Sequence, residues 1–323
     1  MNCTGYAVGF PAGLWRMRKC RWFCFLWLSL TCSTSSFAAT FSIAAYNVET
    51  YLDQPTESRH HAKSDESKAK VRESIEAMKP DVLALEEMGS TNALLELRAS
   101  LKADGFNFPY WEHVHGFDTN IHVAVLSRFP IIARHPHTSD DFLLDGRRFR
   151  VSRGFAELEI QAATNYTFTL IAVHLKSRRP VPEADEAELR LQEAMVLRRI
   201  IDEHFRADPD VKMVVLGDFN DVQNAASTRA VIGRGRFRLF DTRPAERNGD
   251  NASNPEPRME PRKVTWTHYY GVEDSYSRID YILLSPAMKR DWLAGGTYIP
   301  TIPNWGIGSD HRPVIAEFET ENQ

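Results

Sequence analysis

Residues 214–221 read VVLGDFND, an apolar run that passes through a glycine into two aspartates and an asparagine. A run of that kind suits a strand buried on both faces, yet its end delivers Asp218 and Asn220 to a sheet edge, where polar groups can meet a ligand. The same grammar recurs along the chain. AAYNVE ends a run at Asn47, DVLALEEMG ends one at Glu86 and Glu87, and LIAVHLKS ends one at His174. SRIDYILLS instead begins a run at Asp280, and GSDHRPV sets Asp310 and His311 just before the last run. If the strands that begin with polar groups lie antiparallel to those that end with them, six strands share one polar rim. Taken singly, each residue has a local explanation. Asp218 could cap its strand through an Asx turn, Glu87 could be a solvated turn residue, His174 a satisfied core histidine, and Asp280 an ion-pair partner for Arg278. Their combination is what carries the reading.

Apolar or alternating runs at 41–48, 81–85, 121–127, 151–160, 166–175, 211–217, 279–284 and 313–318 are predicted strands. Three stretches carry helical spacing: 66–78, with Val71, Ile75 and Met78 on one face ahead of Pro80; 91–104, with Leu94, Leu97 and Leu101 ahead of Gly105; and 185–206, with Leu189, Val196 and Ile200 in one stripe. Several strands follow one another directly, so the pattern predicts a layered α/β protein with mixed sheets rather than a purely alternating parallel one. The stretches 246–263 and 135–150 are predicted loops.

The segment MRKCRWFCFLWLSLTCSTSSFAA, from Met17, has a basic start, an apolar centre too short for a spanning helix, and a small-residue end. Residues 1–38 therefore read as a signal peptide cleaved after Ala38, residues 39–323 as one domain, and the destination as secreted or periplasmic. All four cysteines (Cys3, Cys20, Cys24 and Cys32) fall in that leader, which leaves the remainder without a disulfide or thiolate ligand. The chain has 39 Lys and Arg against 43 Asp and Glu, and the leader holds basic residues only. The remainder is thus acidic, and contact with a polyanion must come from a local basic patch or a metal.

Carboxylates and amides gathered without cysteine or a histidine cluster are hard oxygen donors suited to Mg²⁺ or Mn²⁺, with Ca²⁺ held less tightly; zinc is disfavoured at such a set. Hydrolysis of a phosphodiester needs charge neutralised on the phosphoryl oxygens, an oriented water and stabilisation of the leaving oxygen. A cation with adjacent carboxylates and imidazoles offers all three.

The ordered set YNVE, ALEEM, VHLKS, GDFND, SRIDYILLS and SDHRPV resembles the endonuclease/exonuclease/phosphatase superfamily, the DNase I-like phosphoesterases, across the whole chain after the leader. The resemblance implies a four-layer α/β/β/α sandwich of two packed mixed β-sheets. It implies Glu87 as the main metal-binding glutamate with Asn47 beside it, Asp310 as a further metal or water ligand, and Glu86 as a supporting residue where many members carry glutamine. Asp218 matches the residue that orients or deprotonates the attacking water, Asn220 the amide that holds the phosphate, and Asp280 with His311 a paired acid and imidazole. His174 matches the histidine of the nuclease and phosphodiesterase branches. Arg153 resembles an arginine that DNase I-like nucleases turn toward the phosphate backbone. Two basic clusters, Lys176, Arg178 and Arg179, and Arg147, Arg148, Arg150 and Arg153, make a nucleic acid the expected substrate. Trp292, Tyr298 and Trp305 before SDH keep a phospholipid substrate, sphingomyelinase-like or inositide, as the alternative. No obligate protein partner is indicated, and a monomer is expected.

Overall fold

The computed structural model describes residues 39–56, 59–247 and 264–320. The leader expected at 1–38, its four cysteines and most of the loop expected at 246–263 lie outside the described residues. In chain order the elements are β1 (Thr40–Tyr51), α1 (Asp65–Met78), β2 (Val82–Met88), α2 (Thr91–Ala103), β3 (Tyr110–Val114), β4 (His122–Ser127), β5 (Ile131–His137), β6 (Asp141–Leu144), β7 (Arg147–Arg150), β8 (Phe155–Ala163) and β9 (Tyr166–His174). There follow α3 (Glu186–Ala207), β10 (Met213–Asp218), α4 (Ala226–Ile232), β11 (Phe240–Asp241), β12 (His268–Tyr270), β13 (Ser275–Ser277), β14 (Asp280–Leu284), β15 (Trp292–Tyr298) and β16 (Val314–Glu319).

Two six-stranded sheets result, in the orders β15-β16-β1-β2-β4-β3 and β11-β14-β10-β9-β8-β5. Each is mixed. The β1–β2 and β9–β10 pairs are parallel, while β16, β4, β8 and β14 flank them antiparallel. Because side chains alternate along a strand, each sheet has two apolar faces. Ile43, Ala45, Val82 and Ala84 meet Leu170, Ala172, Val214, Leu216 and Ile282 in a core between the sheets. On the far side of the first sheet, Tyr46, Leu83 and Leu85 pack with Val71 and Ile75 of α1 and Leu94 and Leu97 of α2. On the far side of the second, Ile171, Val215 and Leu283 pack with Leu197, Ile201 and Phe205 of α3 and Val231 of α4. This is the expected α/β/β/α sandwich. A Leu216→Ala cavity in the middle layer is expected to cost about 2–5 kcal/mol.

The helices begin and end where local chemistry requires. The side chains of Ser64, Ser90 and Asp185 accept the free N–H groups of Ser67, of Ala93, and of Ala187 and Glu188. Lys79 closes α1 in the left-handed region just before Pro80, and Gly105, at φ +93°, follows α2.

Two expectations need correction. Strand structure begins at Phe155, not 151, and the stretch 135–150 is no loop: it holds the end of β5 and the β6–β7 hairpin. The signal was present in the sequence, since Asp145-Gly146 takes φ +49° and +74°, as a tight hairpin turn demands. Short β3, β5 and β15 and the two-turn α4 were also not anticipated.

Candidate active site

The polar residues of the rim extend the inward-facing rows of the middle layer. Two positions beyond Ala45 stands Asn47, beyond Ala84 stands Glu86, beyond Ala172 stands His174, and beyond Leu216 stands Asp218; Asp280 precedes Ile282 by the same step. Strand alternation therefore aims all five into the space between the sheets. Register does the rest. Asn47 lies opposite Glu86, and Asp218 lies between His174 and Asp280. Since β14 runs antiparallel to β10 and β16 to β1, the strand starts and strand ends do share one rim.

Gly217 explains the glycine in VVLGDFND. Its φ is +126°, and a Cβ there would sit 2.1 Å from the Val173 carbonyl oxygen and 2.8 Å from Glu86 Oε1. Only a residue without a side chain lets the two sheets close around Glu86 at this level.

Short contacts bind the cluster together. Asn47 donates from Nδ2 to Asp218 Oδ2 at 3.0 Å, while its own Oδ1 accepts the Glu49 N–H. Asn220 donates its backbone N–H to Asp218 Oδ1 at 2.7 Å and its amide to Asp218 Oδ2 at 3.1 Å and the Leu175 carbonyl at 3.0 Å. That is the Asx turn of the local explanation, with Asn220 at φ +54°, so cap and functional geometry coincide. His311 Nδ1 lies 3.0 Å from Asp280 Oδ2, leaving Nε2 3.8 Å from Asp218. Ser309 donates to the Asn47 carbonyl and accepts the His311 N–H, and Thr267 accepts the N–H groups of Ile279 and Asp280. Arg278 pairs with Asp241, not with Asp280.

The electrostatics are those of a charged group held out of water. Burial, with Asp280 adding to it and His311 opposing it, pushes Asp218 up to about 7. Burial alone would depress His311, but Asp280 and Asp218 outweigh it and hold the imidazole well above its ordinary range. His174 goes the other way. Burial, then the positive Arg153, His311 and Lys176, keep it neutral, and its Nδ1 is buried without a partner.

Glu86, expected as a supporting residue, lies in the buried row between the sheets. It is fully buried, neither carboxylate oxygen has a hydrogen-bond partner, and burial with Asp280 and Asp218 raises it well above the carboxylate range. Glu87 escapes the alternation because the β1–β2 register slips at this point and Glu49, Thr50 and Glu87 all take positive φ. Its Oε2 accepts the Thr50 N–H at 2.9 Å. Glu87, Glu49 and Asp310 form an outer acidic arc around Lys63, whose ammonium donates to the Glu49 carbonyl and is depressed by burial against the three acids' opposing pull. An all-oxygen arc beside a buried carboxylate with two free oxygens fits a hard divalent cation. Nitrogen and oxygen donors also converge within 4.8 Å in two sets, Asp218, Asp280 and His311, and His268, Asp310 and His311.

The basic residues divide. Arg153 is buried, donates to the Leu175 carbonyl and lies 3.6 Å from Asp118, so it supports the site from below rather than facing solvent. Lys176 folds onto the Arg179 carbonyl. Arg178 donates to the Asn220 carbonyl and is half-exposed. The aromatic run before SDH also divides. Trp292 packs on Phe240 and Tyr298 lies beneath Arg247; only Trp305 joins Trp266, Tyr276 and Tyr269 around the β12–β13 hairpin, where the His268 ring lies tilted against that of His311. Glu49, Lys63, Thr267, His268 and Ser309 were given no role by the sequence; Glu49 and Ser309 had a signal, since they stand inside YNVE and SDHRPV.

A sandwich of two mixed sheets, helices outside and an acid–imidazole rim at one end of the middle layer defines a phosphoester-hydrolase architecture. The chain matches the Endonuclease/Exonuclease/phosphatase family over residues 44–311 and belongs to it. No curated protein matches it in sequence. Solved structures share the fold at low identity. The human Nocturnin catalytic domain with bound sulfate anion is 14% identical with a TM-score of 0.58, covering 88% of this chain and 98% of its own. Sphingomyelinase C from Streptomyces griseocarneus is 18% identical with a TM-score of 0.58, covering 87% and 99%. Truncated Caenorhabditis elegans TDP2 is 15% identical with a TM-score of 0.56, covering 87% and 98%.

Proposed function

We propose that this chain is an exported, metal-dependent phosphodiesterase acting on nucleic acid. The observation that carries the reaction class is the convergence of Asn47, Glu86, His174, Asp218 and Asp280 at the end of the intersheet core, with His311 held on Asp280. Glu87, Glu49 and Asp310, with Glu86 behind them and the second lone pair of Asn47 Oδ1, are the groups that would hold Mg²⁺, Mn²⁺ or Ca²⁺. Such a cation, when bound, neutralises charge on a phosphoryl oxygen.

The remaining work falls to the chain's own residues. Asp218 is fixed by Asn47 and Asn220, and a carboxylate raised toward neutrality is a well-matched base for an attacking water. His311, kept charged and oriented by Asp280, donates Nε2–H toward developing negative charge. Neutral His174, its Nε2 3.5 Å from Asp218 Oδ2, adds a donor without adding charge. In the overall step water's oxygen bonds to phosphorus, the ester P–O bond breaks, and the departing oxygen leaves with a proton.

The nucleic-acid choice is supported by half-exposed Arg178, which contacts Asn220, and by further exposed cations, Arg147, Arg148 and Arg150, on the β6–β7 hairpin. A specific observation favours a phospholipid as the second reading. The β12–β13 hairpin next to His311 exposes Tyr270, Val272 and Tyr276, apolar groups suited to a lipid surface. One panel separates the two: purified protein, with and without chelator, offered plasmid, single strands, RNA, sphingomyelin and phosphoinositide liposomes, and a chromogenic bis-phosphodiester. Chelator-sensitive cleavage of nucleic acid that declines with salt is the expected result. Liposome hydrolysis without nuclease activity would transfer the assignment to lipid, and inertness toward every phosphodiester with all three cations would end it.

A further inference from the structure

A second cluster of imidazoles stands apart from the rim. His113 belongs to β3, His122 opens β4, and His115 follows β3 by one residue. The pairing of Val114 with Val123 carries His115 opposite His122 one step further along the ladder. His113 and His115 share a face by alternation, and it is the face away from the intersheet core, since Val114 and Val123 point into that core. The ring centres lie 4.5 Å apart for His113 and His115, 4.5 Å for His115 and His122, and 5.0 Å for His113 and His122.

We propose that His113, His115 and His122 form a second metal site, for a borderline transition-metal cation with Zn²⁺ foremost, opening on the cleft that His115 and His122 line. Three observations carry this. His113 Nε2 lies 2.9 Å from the Gly89 carbonyl, a contact that places the proton on Nε2 and the lone pair on Nδ1. That is the backbone-carbonyl support typical of a metal-bound histidine. Next, His113 Nδ1 is 3.0 Å from His115 Nε2; two nitrogens sharing one tetrahedral zinc sit about 3.3 Å apart, from zinc–nitrogen bonds of about 2.0–2.1 Å. Finally, His122 Nδ1 is buried with no hydrogen-bond partner, an omission that costs about 1–3 kcal/mol and calls for an explanation. His122 lines the cleft, and binding requires its ring to turn one nitrogen toward the other two.

A three-nitrogen set selects against the cations that suit the oxygen-rich rim, so the two sites would load independently. The cleft, of about 320 Å³, also presents Ser90, Asp118, Thr119 and Asn120, polar groups fit to surround the water or anion completing the coordination of a three-histidine cation. Gly89, the carbonyl partner of His113, is two residues from Glu87, so an ion here would brace the segment that presents the outer acidic arc.

The test is binding, not turnover. Tag-free full chain, stripped of metal and kept in excess Mg²⁺, is titrated with Zn²⁺ against a chromogenic chelator, and with Co²⁺ while visible absorption is recorded. One Zn²⁺ per chain and the intense bands of low-coordinate Co²⁺ are expected. His115 is exposed, so H115A should fold; with H122A it should weaken Zn²⁺ by about tenfold or more, while D218A binds as the parent does. Should H122A fail to fold, H115A alone decides. Absence of a Zn²⁺ site in the parent, unchanged affinity in H115A, or loss of binding in D218A instead would overturn the proposal, and none of these outcomes bears on whether the rim cleaves phosphodiesters.

Discussion

Two clusters of histidines and carboxylates, one at the rim between the sheets and one under α3, treat charge in opposite ways. Beneath α3, Glu157 accepts from His137 Nε2 at 2.8 Å and lies 3.1 Å from His204 Nε2, while His137 Nδ1 lies 3.1 Å from Asp140. Each carboxylate oxygen of Glu157 has an imidazole partner. Burial would raise this glutamate, but the two imidazoles overcome it and pull it down to about 2. At the rim, Glu86 has no partner and Asp218 faces Asp280 across the ladder, so burial prevails and both carboxyls rise. The same residue types thus form a satisfied ion cluster in one place and a frustrated one in the other. Frustration at a rim is what a site awaiting a cation and a phosphate should show.

Breaking each cluster should separate activity from stability. The largest effect is expected from H311A or D218A, with kcat down about 10³-fold or more and, for D218A, a melting temperature equal to or above the parent's, read by phosphodiesterase assay and thermal unfolding. Parental turnover in either variant would refute the assignment of roles. E157A should do the reverse: removing the carboxylate that two half-buried imidazoles share costs about 1.5–3 kcal/mol, while kcat stays within about twofold. A stable but inactive E157A would erase the contrast.

The sequence disclosed the rim because apolar alternation and polar strand ends are both local patterns. The burial of Glu86 was legible too, since Val82, Ala84 and Glu86 share a parity; the place of Glu87 was not, because the bulge there arises from a register slip between two strands, which no single segment encodes. Lys63 and His268 were invisible for a similar reason, since each reaches the site from a loop or short hairpin with no periodicity. The histidine trio needed the β3–β4 register, and Glu157 needed α3 to lie over its strand. Non-local pairing, not composition, was the missing information.

Titration sharpens the comparison. Glu157, depressed from 4.5 to about 2, contributes stability that is complete above its unfolded value and is lost as pH falls from about 4.5 toward 2. His137 and His204, both raised, contribute stability present below 6.5 and lost as pH rises through their folded values. Asp218 is raised from 3.8 to about 7, so in cation-free protein its contribution is complete below about 3.8 and falls as pH climbs toward 7. Denaturant unfolding across pH should therefore show E157Q losing the acid-side rise and D218N losing part of the decline between pH 4 and 7. If both variants keep the parent's profile, the two clusters do not differ as described.

The smallest effect is the most discriminating, because one isosteric change can be made in both places. E157Q removes a charge that two imidazoles hold, so it should lower the melting temperature. E86Q replaces a carboxyl that nothing holds: without divalent cation Glu86 must take up a proton to stay neutral, whereas the amide is neutral already and its N–H groups can donate to Asp218 or Asp280. E86Q is expected to gain about 1 kcal/mol in chelator, a rise of about 2–4 °C for a chain of this size. Saturating Mg²⁺ should then stabilise the parent more than E86Q, closing the gap, because the buried oxygens of Glu86 gain a counter-charge that an amide cannot use as well. A melting temperature for E86Q below the parent's in chelator, or an equal response of both to Mg²⁺, would mean that Glu86 is held by its surroundings after all and that the rim is no more frustrated than the cluster under α3.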